Sequence, residues 1–206
     1  MKVVETALPG CLLVEPQVFA DERGEFFESW NGPRWASEAG LDLRFVQSNV
    51  SRSERGVLRG LHYQWPQPQG KLVSVLEGEV QDVAVDIRRG SPTFGRSVVA
   101  VLSARNRRQL WIPEGFAHGF VVLSGHATFH YLCTAPYSRD ADAGVRWNDA
   151  RLAVDWMDSA PRLSPKDERL PFLDEIAPDR PIRTQRRRAE HDDDVAFDPP
   201  FDRGRS

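Results

Sequence analysis

Two histidines in this chain stand in settings that suit chemistry. His62 lies in GVLRGLHYQ, with Gly56 six residues before it, and His118 lies in PEGFAHGF. An imidazole offers two functions near neutral pH. It binds transition metals, or it accepts and donates protons, because its free pKa lies near 6.5. The other histidines have simpler readings. His126 adjoins the turn at Gly125, His191 lies in a charged stretch near the C-terminus, and His130 sits in an apolar run as a structural residue.

The segment from Pro113 to His118 fits P-x-G-x-x-H, and with Gly56 and His62 it resembles the paired motifs of the cupins. That resemblance implies a double-stranded β-helix, or jelly-roll barrel. A metal-binding cupin carries H-x-H in its first motif, whereas this chain reads His62-Tyr63-Gln64. A neutral amide oxygen competes poorly with imidazole for a transition metal. Two histidines fall short of the three or four protein ligands of a tight site. The expectation is therefore no metal and no cofactor, with the histidines free for acid–base work.

The elements that must hold these groups are short and β-like. Apolar runs fall at 44–50, 57–63, 72–76, 80–87, 97–102, 109–112, 119–123 and 128–133, separated by Gly and Pro. Many short strands with turn signals between them indicate a sandwich or barrel. The fold class expected is mainly β, cupin-like, with a few short peripheral helices. Glu77-Gly78-Glu79 reads as a hairpin turn. Along 80–87, Val83, Val85 and Ile87 share one face and Asp82 and Asp86 the other, the pattern of a half-buried strand. One early helix is expected, capped by Asn31 or Gly32, with Pro33 in its first turn and Gly40 at its end. Beyond about residue 150 the prolines argue for loops and short helical turns.

Bulk composition narrows the classes. The 206 residues fit one domain, assigned here to 1–180, followed by a charged and solvated tail at 181–206. A net charge of −3 gives no general attraction to nucleic acid, so any anion site must be local. Cys11 and Cys133 form no CxxC pair, which suits a reducing compartment, and Cys133 reads as a small core residue. The N-terminal apolar stretch is interrupted by Glu5, Pro9, Gly10 and Glu15 and is not a signal peptide. The uncharged stretch 115–138 breaks at Ser124-Gly125 and reads as two strands rather than a membrane span. A cytoplasmic protein is expected.

Seven segments in order resemble the dTDP-4-dehydrorhamnose 3,5-epimerase family. They are DERGEFFESWN from Asp21, FVQSNVSRSERGVLRGLHYQ from Phe45, GKLVSVLEGEVQDVAVDIRRGSPTFG from Gly70, QLWIPEGFAHGFVVLS from Gln109, HYLCTAPYS from His130, GVRWND from Gly144 and LSPKDERLP from Leu163. The resemblance spans roughly residues 1–175. It implies a dTDP-linked 4-keto-6-deoxyhexose as substrate, epimerised at C3 and C5. It further implies that His62 is the base, oriented by Asp167, that Tyr131 is the acid, and that Lys71 stabilises the enolate oxygen. Arg23 and Arg59 match diphosphate-binding positions. Glu28, Gln47, Asn49, His118 and Lys166 match other substrate contacts, and Tyr137 is a candidate to stack on thymine. Asp142 stands where the family has a glutamate, one carbon longer. In this family the N-terminal residues complete a neighbouring subunit's site, so a homodimer is implied.

Strict alternation puts Arg59 and His62 on opposite faces of one strand. Either a bulge at Gly60 re-aims one of them, or Arg59 reaches the nucleotide from the strand's end. Other readings are an enzyme that epimerises only C3 or C5, a ketoisomerase, a metal-dependent cupin, and a non-catalytic nucleotide-sugar-binding barrel.

Overall fold

The computed structural model of the chain describes residues 1–176. The expected tail at 181–206 lies outside the described residues. Within them, two antiparallel sheets pack face to face. The first has the order β1 (Lys2–Glu5), β2 (Leu12–Glu15), β10 (Gln109–Ile112), β7 (Lys71–Glu77), β12 (His126–Cys133), β5 (Gln47–Glu54). The second runs β13 (Asp142–Gly144), β6 (Leu58–Gln64), β11 (Phe116–Val122), β8 (Glu79–Asp86), β9 (Ser97–Ser103). A separate hairpin, β3 (Val18–Asp21) with β4 (Gly24–Phe27), belongs to neither sheet. This is the mainly β, cupin-like architecture expected from the sequence. The uncharged stretch 115–138 forms β11, the turn at Ser124-Gly125, and β12. Among the described residues no helix is long and apolar enough to cross a membrane.

Side chains from both sheets fill the space between them. Val73, Val75, Leu110, Ile112 and Phe129 meet Val80, Ala84, Leu102, Phe116, Phe120 and Val122. Phe120 and Phe129 stack across the gap with centroids 4.1 Å apart, a face-on contact of two large apolar groups. The helix α1 (Gly32–Ala39) forms as expected. The Asn31 side chain accepts from the Arg34 N–H, Pro33 sits in the first turn, and Gly40 ends it in the left-handed conformation. Its Trp35 and Ala39 cover Leu12, Val14, Leu72 and Trp111 on the outer face of the first sheet.

One expectation needs correction. Strand β8 is not half-buried, because Asp82 and Asp86 are both fully buried. Val83, Val85 and Ile87 pack outward against Leu61, Tyr63, Val145, Leu152 and Leu173, since the segment after β13 covers that side of the second sheet. The Asp82 face looks instead into the barrel, where Asp82 stands opposite Phe120 and Ala84 opposite His118. The alternation was read correctly, but a layer of chain lies over the apolar side and the polar side faces the barrel interior.

Candidate active site

Strand register decides which residues meet. Directly paired residues of an antiparallel ladder project to the same face. Tyr131 and Cys133 continue the inward face of β12 from the buried Phe129, and Lys71 continues that of β7 from Val73 and Val75. Asn49 is opposite Tyr131 and Gln47 opposite Cys133, so both also face inward. On the other sheet His118 pairs with His62, and Asp142 with Gln64. One end of the barrel is thus lined by Gln47, Asn49, Lys71, Tyr131 and Cys133 on one wall and by His62, Gln64, Asp82, His118 and Asp142 on the other.

Arg59 joins them because of a bulge. On β11 the paired positions His118 and Phe120 are two apart, whereas their partners His62 and Arg59 are three apart. The extra residue in β6 shifts the alternation, so Arg59 and His62 project to the same side. Gly60 supplies the shift at a φ of 130°, and a Cβ there would meet the Gly119 Cα at 2.5 Å. The Arg59 Nε donates to Ser53 Oγ at 2.9 Å, and its charge reaches Tyr131.

His62 is hydrogen-bonded through Nε2 to Asp167 Oδ1 at 2.6 Å. Asp167 opens a 3₁₀ turn (Asp167–Arg169) and is itself buried. Burial alone would raise its pKa. The hydrogen bond and charge of His62, with the Gly60 N–H and Ser164, outweigh burial and hold the carboxyl below its ordinary value. An ionised carboxylate only accepts, so Nε2 carries the proton and Nδ1 is the lone-pair nitrogen. Across the ladder, His118 Nε2 bonds Asp82 Oδ2 at 2.9 Å. The sequence reading missed Asp82 as a site residue; the available signal was an acid inside a strand beside the run Val83-Ala84-Val85.

The remaining groups complete a polar chamber. Burial lowers the Lys71 pKa, and its interactions with Cys133, Asp142 and Asp82 only partly oppose that. Burial raises that of Tyr131, with Cys133 adding to the rise and Arg59 opposing it. At the rim, Asp142 Oδ2 accepts from Tyr137 OH at 3.0 Å and pairs with Lys166. Gln47 Oε1 accepts from the Tyr137 N–H at 2.7 Å, and Gln47 Nε2 donates to Asn49 Oδ1. Gln64, in place of a second histidine, is committed to the neighbouring loops: it accepts from the Ser138 N–H and donates to the carbonyls of Gln67 and Pro136. Among the described residues no cluster of three or more His, Cys, Asp or Glu side chains is arranged to hold a metal ion.

Two of the expected site residues lie elsewhere. Arg23 sits on the turn of the β3–β4 hairpin, ion-paired with Asp21 at 2.6 Å and largely exposed. Glu28 accepts from Asn31 Nδ2 and pairs with Arg34 Nη1 at the start of α1.

Residues 5–175 match the family model for dTDP-4-dehydrorhamnose 3,5-epimerase. The chain is 55% identical over 168 residues to the dTDP-4-dehydrorhamnose 3,5-epimerase of Pseudomonas aeruginosa, covering 81% of this chain and 93% of that one. It is 52% identical over 177 residues to the enzyme of that name from Salmonella typhimurium, covering 85% and 97%. Among solved structures it is similar to dTDP-6-deoxy-D-glucose-3,5-epimerase from Legionella pneumophila in complex with dTDP-4-keto-L-rhamnose. That likeness has a TM-score of 0.86 at 49% identity, covering 90% of this chain and 99% of the other.

Proposed function

Because the chain belongs to the dTDP-4-dehydrorhamnose 3,5-epimerase family, it is an isomerase that epimerises dTDP-4-dehydro-6-deoxy-D-glucose at C3 and C5 to dTDP-4-dehydro-L-rhamnose, and we propose that His62 and Tyr131 move the protons. The 4-keto group acidifies the hydrogens on both flanking carbons. His62 Nδ1 takes such a hydrogen as a proton, and the electron pair left behind delocalises onto O4. The Asp167 carboxylate holds the imidazole in the required tautomer and stabilises the imidazolium that forms. Lys71 offers positive charge to the enolate oxygen, where a fixed donor in a water-poor site is worth several kcal/mol.

The observation that carries this reading is that His62 stands on one sheet and Tyr131 on the other, facing each other across the barrel interior. A sugar ring between the two walls presents opposite faces to them, which inversion requires. Burial keeps the Tyr131 hydroxyl protonated, as suits a donor. Arg59, Gln47, Asn49, His118, Tyr137, Asp142 and Lys166 are assigned to substrate binding. Arg59 suits the diphosphate because a guanidinium donates two parallel hydrogen bonds. The Asp142 carboxylate, one carbon shorter than glutamate, reaches Tyr137 and Lys166 and braces the rim.

We assign Arg23 and Glu28 to a second copy's substrate, in a homodimer. Val18 and Phe19 on the hairpin, and Val46, Val50 and Leu76 on or beside the outer face of the six-stranded sheet, are exposed apolar groups suited to that contact. A cytoplasmic location accords with the free, buried Cys11 and Cys133.

Proton NMR of dTDP-4-keto-6-deoxyglucose in D₂O with purified, chelator-treated protein tests the reading. Deuterium at both C3 and C5 with His62 intact, and at neither in His62→Ala, is the expected result. Label at a single carbon would indicate a mono-epimerase. Tight binding without exchange would indicate a binding barrel, and exchange that stops with chelator would indicate a bound metal.

A further inference from the structure

We propose that Arg107, on the turn between β9 and β10, is a positioning residue: it clamps the N-terminal arm and so fixes where Arg23 is presented. The inference rests on the assignment of Arg23 to the nucleotide's diphosphate, and it adds the device that holds Arg23 in place.

The arm needs such a device. After β2 the chain leaves the first sheet, and β3 and β4 pair only with each other. Within one copy, a two-stranded hairpin that joins neither sheet is marginal in water unless other groups pack against it. The β9–β10 turn reaches out to it at successive points. Arg108 Nε donates to Glu15 Oε1 at 3.0 Å, where the arm begins. Arg107 Nη2 pairs with Glu25 Oε1 on β4, and its guanidinium carbon lies 5.5 Å from the centroid of the Phe27 ring. Gln109 Nε2 donates to the Ser29 carbonyl at 2.8 Å, where the arm returns to α1. Of these contacts, those of Arg107 lie nearest to Arg23. Glu25 is two residues away, within about 7 Å along a strand.

The turn is built to aim that side chain. Arg107 has a φ of 58°, a conformation that non-glycine residues adopt at a cost. Asn106 holds it there. Its Oδ1 accepts from the Ser103 and Arg108 N–H groups and its Nδ2 donates to the Val101 carbonyl, each at 3.0 Å. The Arg107 side chain is only 22% exposed although it stems from a turn, whereas the Glu25 side chain is 39% exposed. The clamp can therefore be released from the arm's side without disturbing the barrel.

Steady-state kinetics of Arg107→Ala and Glu25→Gln, with Arg23→Ala as reference, read the effect on the full-length protein. Both clamp variants should raise KM for dTDP-4-keto-6-deoxyglucose about fivefold or more, through lost preorganisation, and leave kcat within about twofold of wild type. Arg107→Lys, which keeps the charge toward Glu25 but not the guanidinium over the Phe27 ring, should fall between. Adding Arg107→Ala to Arg23→Ala should raise KM no further, because the clamp acts through Arg23. Limited trypsin digestion, read by mass spectrometry as release of fragment 1–23, should be faster in both clamp variants whatever Arg23 binds. If Arg23→Ala raises KM while the clamp variants change neither KM nor cleavage, the clamp is overturned and the Arg23 assignment stands. If cleavage accelerates but Arg23→Ala leaves KM unchanged, the Arg23 assignment fails and the positioning role fails with it.

Discussion

His62 and His118 face each other as a directly paired couple across the β6–β11 ladder, yet each is bonded to a different carboxylate from a different part of the chain. His62 takes Asp167, from the 3₁₀ turn after the barrel; His118 takes Asp82, from the neighbouring strand β8. Their environments differ as well. The His62 side chain is 30% exposed and the His118 side chain 8%. Of the two imidazoles, the open one has its far nitrogen available to a substrate, and the enclosed one is built into the wall.

Asp167→Asn tests what the carboxylate does for His62. The amide is nearly the same size but lacks the charge, and its NH₂ can donate to Nε2 and so favour the wrong tautomer. Turnover should fall by about 10²–10⁴-fold, the range for disabling a positioned base. Binding of dTDP, measured by calorimetry, should persist. Turnover within tenfold of wild type would remove the dyad from the mechanism.

Gly60→Ala tests the bulge. The added Cβ would have to occupy space 2.5 Å from Gly119 Cα and 2.9 Å from the His118 carbonyl, at a φ that disfavours side chains. The same residue's N–H supports the Asp167 carboxylate. The expected loss is about 1–3 kcal/mol of stability, as for other strained backbone sites, together with most of the activity. An unchanged denaturant midpoint and full turnover would show that β6 reaches the same alignment without it.

What the sequence made legible, and what it hid, follow from this strand. The motif around His62 suggested acid–base work, the roles of Tyr131 and Asp167 came only from the family resemblance, and alternating apolar runs placed the central strands to within a few residues. Alternation could not show on which side of Gly60 the period slips, because a bulge is a property of the pair and only β11 reveals it. Nor could it show what covers a face, so Asp82 read as solvent-facing. Strand β5 was expected at 44–50 and runs Gln47–Glu54, because its serine-rich second half carries no apolar signal. The four-residue strands of the N-terminal arm and the three-residue β13 are too short to display a period at all.

Lys71 should impose an alkaline limit on the reaction. Only its ammonium form can stabilise an enolate, and burial lowers its pKa from the ordinary lysine value of 10.5. Activity dependent on that charge therefore declines as pH rises through a value below 10.5. Tyr131 cannot cause the same limb, since burial raises its pKa above the ordinary tyrosine value of 10.0. Lys71→Arg, whose guanidinium stays charged, should lower kcat but lose the alkaline decline. A limb that persists unchanged in Lys71→Arg would assign it to another group.

Asp86 should govern acid stability, at the opposite end of β8 from the Gly78 turn. Its two oxygens accept from Arg88 through Nε, Nη2 and the backbone N–H, and from Ser91 Oγ and Thr93 Oγ1. Burial alone would raise its pKa, but these hydrogen bonds outweigh burial and hold it below the ordinary aspartate value of 3.8. A carboxyl with a depressed folded pKa binds protons more readily when unfolded. Its contribution is therefore fully present above the unfolded pKa and is lost as pH falls through the lower, folded one. At neutral pH, Asp86→Asn leaves the nearly buried Arg88 without its charge partner and should cost about 3 kcal/mol. The gap between variant and wild type in urea denaturation should stay constant down to about pH 5 and narrow below about pH 4. A gap that is independent of pH throughout would mean that Asp86 acts by shape and hydrogen bonding alone rather than by charge.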